Sequence, residues 1–371
     1  MKILLIEYRD ITHPEAGGAE VILQEVFRRI VAAGHSVDYL CNRHDNAKAE
    51  EMMDGIRVLR RGYQPYFNLM VPWVYRTELK RNNYDVIVEG IDKLPFYMPL
   101  FEHRVPVACI VPHLFGTTVF REASAVVGAY VYAYERLIPK VYRRSHFSVL
   151  SQSTRDDLAK RGVPPEHLHI IYSGLTQTEY SAPAVKPAGP PTILYLGRLK
   201  RYKGIELGIF AVEQLRAKYP DIEYQIVGSG DFLDALKAMV AQKGLEKHVK
   251  FPGLKRGAEK TELLQRASVL IYTSPKEGWG LSVVEANACG TPVVASDAPG
   301  LRESVKNGET GFLIPHGDVP ALAQRIDQLL SDPKLYDTFR QNGLAWARSF
   351  TWERACAETI ALLETARRER A

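Results

Sequence analysis

Residues 192–204 read TILYLGRLKRYKG, an apolar run followed by a basic turn between two glycines. Its first five residues are an apolar run typical of a buried parallel strand, and the glycine after them lets the backbone turn and approach a ligand. Arg198 offers a planar fork of donors and Lys203 a compact charge, and both suit phosphate oxygens. A helix predicted from about Gly204 would add partial positive charge at its start. By itself, the stretch fits a solvated basic turn equally well.

A second stretch, residues 275–286 (PKEGWGLSVVEA), favours the phosphate interpretation. Two glycines open a loop whose backbone N–H groups can point at an anion, and a helix is predicted directly after it. Glu277 lies in the loop and Glu285 on the helix, and carboxylates accept hydrogen bonds from the neighbouring hydroxyls of sugars and riboses. A carboxylate on each side of a phosphate-binding loop predicts a nucleotide-sugar site. The alternative is a helix glutamate favoured by the dipole together with an unrelated surface glutamate.

Short apolar runs alternate with segments of helical period along almost the whole chain, as in βαβ units. A Pro- and Ala-rich segment, residues 181–191, predicts a linker. The predicted fold class is α/β, with doubly wound Rossmann-like domains at 1–180 and 192–350 and a C-terminal helix at 351–371 that could pack on either of them. The cleft between the two domains is the expected binding site. The predicted strands are 3–6, 37–40, 86–88, 107–111 and 147–150, then 192–196, 224–227, 249–251, 269–272 and 292–295.

Composition and charge exclude several classes of protein. The 371 residues are 46% hydrophobic and 25% charged, as in an ordinary globular protein. The net charge of +5 accompanies no basic face or known module, so no nucleic-acid partner is expected. The four cysteines lack metal-ligand spacing and predict free thiols in a reducing compartment. We find no signal peptide and no membrane-spanning apolar stretch, which predicts a cytoplasmic protein and leaves peripheral contact with the inner face of the membrane open.

The motifs GRLxxxKG at 197–204, EGWGLSVVEA at 277–286 and GTPVVASDAPG at 290–300 resemble the C-terminal domain of glycosyltransferase family 4. The resemblance extends over nearly the whole chain and is strong in its C-terminal half. It implies the GT-B fold, in which two Rossmann-like domains face each other across a cleft. It also implies retaining transfer of a hexose from a nucleoside-diphosphate sugar, UDP- or GDP-linked, and no motif identifies the base or the sugar.

The same resemblance implies roles for individual residues of the donor site. Arg198 and Lys203 would hold the diphosphate, while Glu277 would bind the sugar hydroxyls and Glu285 the ribose. Backbone amides of the glycine-rich loop would contact phosphate and sugar, and the base would lie against the backbone near the third strand of the domain. The further donor-binding candidates are therefore Gly278, Trp279, Gly280, Leu281, Ser282, Phe251 and Leu254.

The N-terminal half supplies three more candidates. Residues 13–20 (HPEAGGAE) lack a GxGxxG fingerprint but resemble the GGAE turn of the family, which implies that Gly17 and Gly18 approach the donor. The alternative is a plain strand–helix turn. His113 follows the strand 107–111 and corresponds to the histidine that the family places beside the transferred sugar, although a lone histidine is more often structural. Ser151 is predicted to cap the next helix, and a ligand contact there stays open.

Family resemblance further implies front-face attack without an enzyme nucleophile, in which the leaving phosphate accepts the proton of the acceptor. Arg198 and Lys203 would stabilise the charge that develops on that phosphate. The catalytic candidates are thus His113, Arg198, Lys203 and Glu277. No cofactor and no metal are expected, since no Asp-x-Asp cluster lies near the predicted site.

The acceptor is predicted less directly. Residues 66–81 and 126–144 combine apolar and basic positions that would suit an anionic bilayer, or else core-facing helices with a solvated basic face. A membrane site would favour a glycan or lipid-linked glycan acceptor, as in cell-envelope or exopolysaccharide synthesis. Three other functions stay open: a GT-B nucleotide-sugar epimerase, a synthase with a small soluble acceptor, and a non-catalytic binding subunit.

Overall fold

The structure, a computed structural model, describes residues 1–92, 94–121, 124–184, 187 and 189–370. The chain forms two units, one of Met1–Gly174 with Trp352–Ala371 and the other of Leu175–Thr351. The predicted doubly wound α/β fold class is confirmed, since each unit is built on its own largely parallel sheet.

The predicted linker, residues 181–191, comes after the point at which the chain leaves the first unit. Val185, Lys186 and Ala188 of this segment lie outside the described residues. Within the second unit, the carbonyl of Ser181 accepts a hydrogen bond from Gln265 at 2.7 Å, and the carbonyl of Pro183 accepts one from Arg340 at 2.9 Å. Side chains of the second unit therefore bind the backbone of this extended segment.

The first unit contains a sheet with the order β3-β4-β2-β1-β5-β6-β7-β8, in which β3 runs antiparallel to β4 and the other neighbours are parallel. Its strands are β1 (Lys2–Ile6), β2 (Ser36–Cys41), β3 (Glu50–Met53), β4 (Ile56–Arg60), β5 (Val86–Gly90), β6 (Val107–Val111), β7 (Phe147–Val149) and β8 (Leu168–Ile170). Its helices begin with α1 (Gly18–Ala32), α2 (Phe67–Val74), α3 (Ala125–Glu135), α4 (Ile138–Val141) and α5 (Gln152–Arg161). The winding reverses between β1 and β5, and doubly wound sheets bind ligands beyond the carboxyl ends of the strands at such a point.

Helix α1 illustrates why the sequence folds as it does beside the first strand. Ile22, Val26 and Ile30 recur at helical spacing and are buried. The helix begins after Gly17, whose N–H donates to the Glu20 carboxylate at 2.7 Å, and this bond satisfies one of the N–H groups that the helix start leaves unpaired. Gly34, with φ +91°, then ends the segment. The predicted helix 18–33 is confirmed to within one residue.

The second unit has a six-stranded parallel sheet with the order β11-β10-β9-β12-β13-β14. Its strands are β9 (Thr192–Leu196), β10 (Glu223–Val227), β11 (Val249–Gly253), β12 (Val269–Tyr272), β13 (Val293–Ser296) and β14 (Gly311–Ile314). Its helices are α6 (Glu206–Leu215), α7 (Leu233–Gln242), α8 (Gly257–Arg266), α9 (Leu281–Ala288), α10 (Leu301–Ser304), α11 (Val319–Ser331) and α12 (Pro333–Ala347). The winding reverses between β9 and β12, so the loops after these two strands flank the expected ligand crevice.

The remaining helices are one long segment and several single turns. Helix α13 (Trp352–Arg370) packs on α1, where Arg29 donates to Glu353 at 3.2 Å. A π-helical turn at Tyr75–Leu79 continues α2, and the 3-10 turns are Gln64–Tyr66, Lys80–Asn82, Met98–Leu100, Gly116–Arg121, Pro165–His167 and Arg201–Lys203. In the part of the chain that the structure describes, no helix combines the length and the apolar character needed to cross a bilayer.

All ten predicted strands are present, with ends that differ by up to two residues. Strands β3, β4, β8 and β14 are not predicted from the sequence. Strand β3 (EEMM) is half polar, so no continuous apolar run marks it in the sequence.

Candidate active site

Lys203 and Glu277 meet at the point where the winding of the second sheet reverses. Lys203 follows β9 and Glu277 follows β12, and the lysine Nζ lies 2.5 Å from the Oε1 of the glutamate. Their side chains are only 7% and 13% exposed. Burial lowers the pKa of Lys203, but the charge of Glu277 raises it further, so the pKa is above its ordinary value and the ammonium group stays charged. The structure therefore brings together two residues predicted to bind the donor.

Two aromatic rings hold the ammonium group of Lys203 from other sides. Its Nζ lies 4.9 Å from the centre of the Tyr202 ring and 5.6 Å from that of Tyr272. The backbone on either side is fixed as well, because the hydroxyl of Thr273 donates to the Gly204 carbonyl at 2.7 Å. Gly204 has φ +65°, and a Cβ there would lie 2.7 Å from the Thr273 carbonyl oxygen. The loops after β9 and β12 are thus joined tightly through a glycine.

The segment after β13 supports the loop that carries Glu277. The N–H of Glu277 donates to the Pro299 carbonyl at 3.1 Å. Gly300 has φ +79°, and a Cβ there would lie 2.3 Å from the carbonyl oxygen of Glu277. Gly280, with φ +97°, starts α9 in a left-handed conformation. Glycines are therefore required on both sides of this carboxylate, which accounts for two of the glycines in the quoted motifs.

Glu285 pairs with a lysine that the sequence analysis does not identify. Its Oε1 lies 2.6 Å from the Nζ of Lys260 on α8, and the same ammonium group donates to the Tyr180 hydroxyl at 3.0 Å. Burial, and next the charge of Glu285, raises the pKa of Tyr180, so this hydroxyl stays protonated. The Oε2 of Glu285 is buried and has no hydrogen-bond partner among the described residues. The site thus contains a buried acceptor that a ligand hydroxyl could satisfy.

Arg198 lies on the same side of the sheet but in a different setting. Its side chain is exposed, whereas that of Lys203 is buried. Its carbonyl accepts a hydrogen bond from the Tyr195 hydroxyl at 2.9 Å, which holds the turn after β9. A Cβ at Gly228 would lie 1.9 Å from the carbonyl of Gly197, so the adjacent loop presses on the same turn. The backbone of this turn is therefore fixed while its guanidinium reaches solvent.

The other donor-site candidates fall into two groups. Trp279 is buried, with its ring 5.2 Å from that of Phe350, so a donor contact at this position would come from the backbone. Gly278, Leu281 and Ser282 are half-buried and Gly280 is buried. Near the carboxyl end of the edge strand β11, Phe251 packs on the core of the second unit, and Leu254 is 53% exposed.

The candidates of the first unit lie after β1 and β6. Strand β1 is one of the two strands between which the winding of this sheet reverses. Gly17 and Gly18 are the cap and first residue of α1. His113 is half-buried, and its ring packs edge-on at 5.6 Å from Phe115. A fully buried residue, Glu135, fixes this loop by accepting hydrogen bonds from the N–H groups of Phe115 and Gly116 at 2.7 and 2.8 Å. The sequence signal for Glu135 is a single acid in an otherwise apolar helix.

Two further contacts hold the segments that follow β7 and β1 in the first unit. The Ser151 hydroxyl accepts a hydrogen bond from the N–H of Thr154 at 3.2 Å, which confirms that this serine caps α5. Asp10, in the loop after β1, forms a buried ion pair with Arg60 at 2.6 Å. Burial alone would raise the pKa of Asp10, but hydrogen bonds from Arg60 and Thr12 outweigh it and lower the pKa to about 2.

Comparison with known proteins gives consistent matches over both units. Residues 16–178 match the family model described as Glycosyltransferase Family 4, and residues 176–346 match Glycosyl transferases group 1. The chain is 32% identical to the putative colanic acid biosynthesis glycosyltransferase WcaL of Salmonella typhimurium over 176 residues, which are 46% of this chain and 43% of that protein. It is 27% identical to glycogen synthase of Mycobacterium tuberculosis over 364 residues, 90% of this chain and 87% of that one.

A solved structure shows the same fold. HepE of Anabaena, in complex with UDP and glucose, superposes with a TM-score of 0.82 over 98% of this chain and 100% of its own, at 23% identity. The likeness extends across both α/β units and confirms the predicted GT-B fold.

Proposed function

Because the chain belongs to glycosyltransferase family 4, we propose that it transfers a hexose from a UDP- or GDP-linked sugar to a hydroxyl group, with retention of configuration. The observation that carries this proposal is the second unit's pair of partly buried lysine–glutamate contacts, Lys203 with Glu277 and Lys260 with Glu285. Two carboxylates with fixed partners flank a glycine-rich loop at the reversal of a parallel sheet. This arrangement suits a ligand with a sugar at one end, a ribose at the other and a diphosphate between them.

The residues of the site divide the parts of the donor among them in this proposal. Arg198 and Lys203 bind the diphosphate and stabilise the charge that develops on it as the glycosidic bond breaks. Glu277 accepts hydrogen bonds from hydroxyls of the transferred hexose, and Glu285 uses its unpaired Oε2 for a ribose hydroxyl. N–H groups between Gly278 and Ser282 complete the donor site.

The reaction proposed here needs neither an enzyme nucleophile nor a metal. The acceptor oxygen attacks on the face from which the diphosphate leaves, and its proton passes to a departing phosphate oxygen. Arg198 and Lys203 supply the positive charge that a divalent cation would supply in other transferases. His113 of the first unit contacts the hexose, in a loop whose backbone Glu135 holds rigid.

A glycan or lipid-linked glycan is the proposed acceptor, and two surfaces support it. Tyr66, Leu69 and Trp73 are 67%, 65% and 60% exposed at helical spacing, and the exposed Arg76 and Lys80 follow them in the chain. On α3, the apolar Val126, Val127 and Tyr130 are exposed as well. Amphipathic surfaces that combine aromatic and basic side chains bind anionic bilayers. We therefore propose a peripheral site at the cytoplasmic face of a membrane.

A specific alternative is a synthase with a small soluble acceptor. In that case the exposed apolar faces would not bind a membrane. A nucleotide-sugar epimerase of the same fold is a weaker alternative, because it would not need the paired glutamates that follow the GRLxxxKG motif.

Thermal-shift screening against UDP-, GDP- and ADP-sugars tests the donor half of the proposal. The correct donor at 100 times its Kd should stabilise the protein by about 2.7 kcal/mol. Transfer to candidate acceptors should then be followed by NMR, which reads the configuration of the new linkage directly. Inversion of configuration would exclude the mechanism, and the absence of both stabilisation and transfer with all three donor classes would exclude the function.

A further inference from the structure

Three histidines and a glutamate gather at the last two strands of the first sheet, β7 and β8. His146 directly precedes β7, His167 ends the turn before β8, and His169 lies in β8. Glu369 belongs to the last turn of α13. His146 is buried and Glu369 exposed. The proposed transfer reaction uses none of these four side chains.

The four side chains are close enough to act as a set. The Nε2 of His146 lies 2.9 Å from the Oε2 of Glu369, and its Nδ1 lies 3.0 Å from the Nε2 of His169. The rings of His146 and His167 have their centres 4.8 Å apart. One ring nitrogen from each of these two histidines and one carboxylate oxygen of Glu369 lie within 4.8 Å of one another.

We propose that His146, His167 and Glu369 bind a zinc ion, with His169 as the hydrogen-bond partner that orients His146. Imidazole nitrogen and carboxylate oxygen are ordinary zinc ligands, and ligand atoms around tetrahedral zinc, at about 2.0–2.1 Å from the ion, lie about 3.3 Å apart. The Nε2 of His146 and the Oε2 of Glu369 are 2.9 Å apart, and the ligand atoms of the three residues all lie within 4.8 Å of one another, so this range includes the spacing that zinc requires. Because Glu369 is exposed, its side chain can adjust without disturbing the core.

The hydrogen bonding of the cluster supports a bound cation. The Nδ1 of His167 is buried and has no hydrogen-bond partner within the described residues, so this nitrogen can bind a ligand without losing an existing bond. If the Nε2 of His146 binds zinc, its Nδ1–H donates to the Nε2 of His169 at 3.0 Å, so the ring nitrogen of His169 takes the place of the carboxylate, carbonyl or water that usually accepts this hydrogen bond from a metal-binding histidine.

The position of the cluster indicates a structural ion. His146 lies at the amino end of β7, whereas His113 follows the carboxyl end of the adjacent parallel strand β6, so the two are separated by a strand length, roughly 15 Å. Nearby, Arg367 lies 3.9 Å from Asp85, and Arg370 donates to the carbonyl of His103 at 2.6 Å. Zinc would add a third and stronger attachment between the end of α13 and the sheet.

The test uses the full chain without an affinity tag. After dialysis against a chelator, zinc binding is measured by competition with a chromophoric chelator, and Co²⁺ is added as a spectroscopic probe of tetrahedral nitrogen and oxygen ligands. We expect one ion per chain, a visible Co²⁺ absorption band and a higher melting temperature with Zn²⁺. His146→Gln, His167→Gln and Glu369→Gln should each abolish the band, and His169→Gln should weaken affinity by about 10- to 100-fold.

Glu369→Gln is the decisive variant, because this exposed side chain can change without loss of the fold. His248→Gln is the matched control, since its ring contacts the Ile222 carbonyl in the other unit, and it should bind zinc as the unmodified chain does. Undiminished Zn²⁺ binding in Glu369→Gln and His167→Gln would show capture at other surface sites and overturn the proposal, as would the absence of stoichiometric binding in the unmodified chain. Any transfer activity should be the same with and without zinc.

Discussion

The carboxylate of Glu277 and the ammonium group of Lys203 form an ion pair 2.5 Å long across the reversal of the second sheet, 74 residues apart in the sequence. The aromatic rings beside Lys203 and the loop that ends at Gly300 hold the two groups in place. A diphosphate that binds to Lys203 must share the ammonium group with Glu277 or take the place of the Glu277 carboxylate. The pair therefore links binding of the phosphate end of the donor to the orientation of the carboxylate that binds its sugar.

Replacing either partner should remove most of the transfer activity. We expect Lys203→Ala and Glu277→Ala each to lower kcat/KM by about two to three orders of magnitude, because each removes a stabilising group from the transition state. Lys200→Ala is the matched control, since Lys200 is more exposed and pairs with Asp231. The measurement is initial transfer rate with the donor identified by thermal shift. Near-normal turnover in either variant would exclude the assigned roles.

Gly300 should be far less tolerant of a side chain than another glycine with nearly the same φ. Gly300→Ala places a Cβ 2.3 Å from the Glu277 carbonyl oxygen, whereas Gly308, with φ +80° against +79°, has no atom within 4 Å of such a Cβ. Gly308→Ala should cost about 1–2 kcal/mol from left-handed strain alone. Gly300→Ala should cost more and should also slow transfer about 100-fold by displacing Glu277. Urea unfolding and transfer rates measure both, and equal effects in the two variants would contradict the predicted clash.

Lys260 should act through Glu285. Lys260→Met removes a charged hydrogen bond of about 1.5–3 kcal/mol and should raise the KM for the donor about tenfold or more, with a smaller change in kcat. Lys255→Met, which breaks a pair with Glu259 on the same helix, is the control. The double variant Lys260→Met/Glu285→Gln should be no worse than Glu285→Gln alone. Additive losses would mean that the two side chains contribute separately.

Trp73 should anchor the protein to anionic bilayers. Trp73→Ala removes an apolar side chain that burial in a membrane would stabilise by about 1.5–3 kcal/mol, so sedimentation with phosphatidylglycerol vesicles should fall by about one order of magnitude or more. Met52→Ala changes an equally exposed apolar residue on β3 and should have no effect. Binding should also weaken as salt rises. If the unmodified chain fails to sediment with these vesicles at low salt, the membrane proposal is excluded.

The Asp10–Arg60 pair should make stability depend on acid pH. The pKa of Asp10 is lowered to about 2 in the folded state, below its ordinary value of 3.8, so its contribution is complete above about pH 4 and is lost as pH falls toward 2. That contribution is about 2 kcal/mol. Asp10→Asn should be less stable in urea at pH 7, and the difference from the unmodified chain should shrink toward pH 2. A difference that is independent of pH would contradict the assigned titration.

The sequence predicts the fold because most strands are short apolar runs that alternate with segments of helical period. Strands β6, β9 and β12 have the predicted limits, and the parallel pairing of β9 with β12 places the glycine-rich loops after them at the same end of the second sheet. The half-polar strand β3 escapes prediction, because its pairing with β4 rather than an apolar run defines it.

The predicted site residues are recognisable because their motifs are local in sequence. The partners of those residues are not. Lys260 is one of several charged residues of α8 in the sequence, and only the packing of that helix beside α9 makes it the partner of Glu285. Likewise, the sequence gives no sign that Trp279 packs against Phe350, 71 residues away, instead of facing a ligand.

The two ends of the second unit are neighbours. Leu175 and Thr351 form a parallel bridge, and the N–H of Leu175 donates to the carbonyl of Phe350 at 3.2 Å. A domain whose first and last residues lie side by side can be removed from one chain and inserted into another through two short connections. We expect residues 175–351 to be exchangeable with the matching segment of a relative, so that the exchange of this one segment transfers the donor preference.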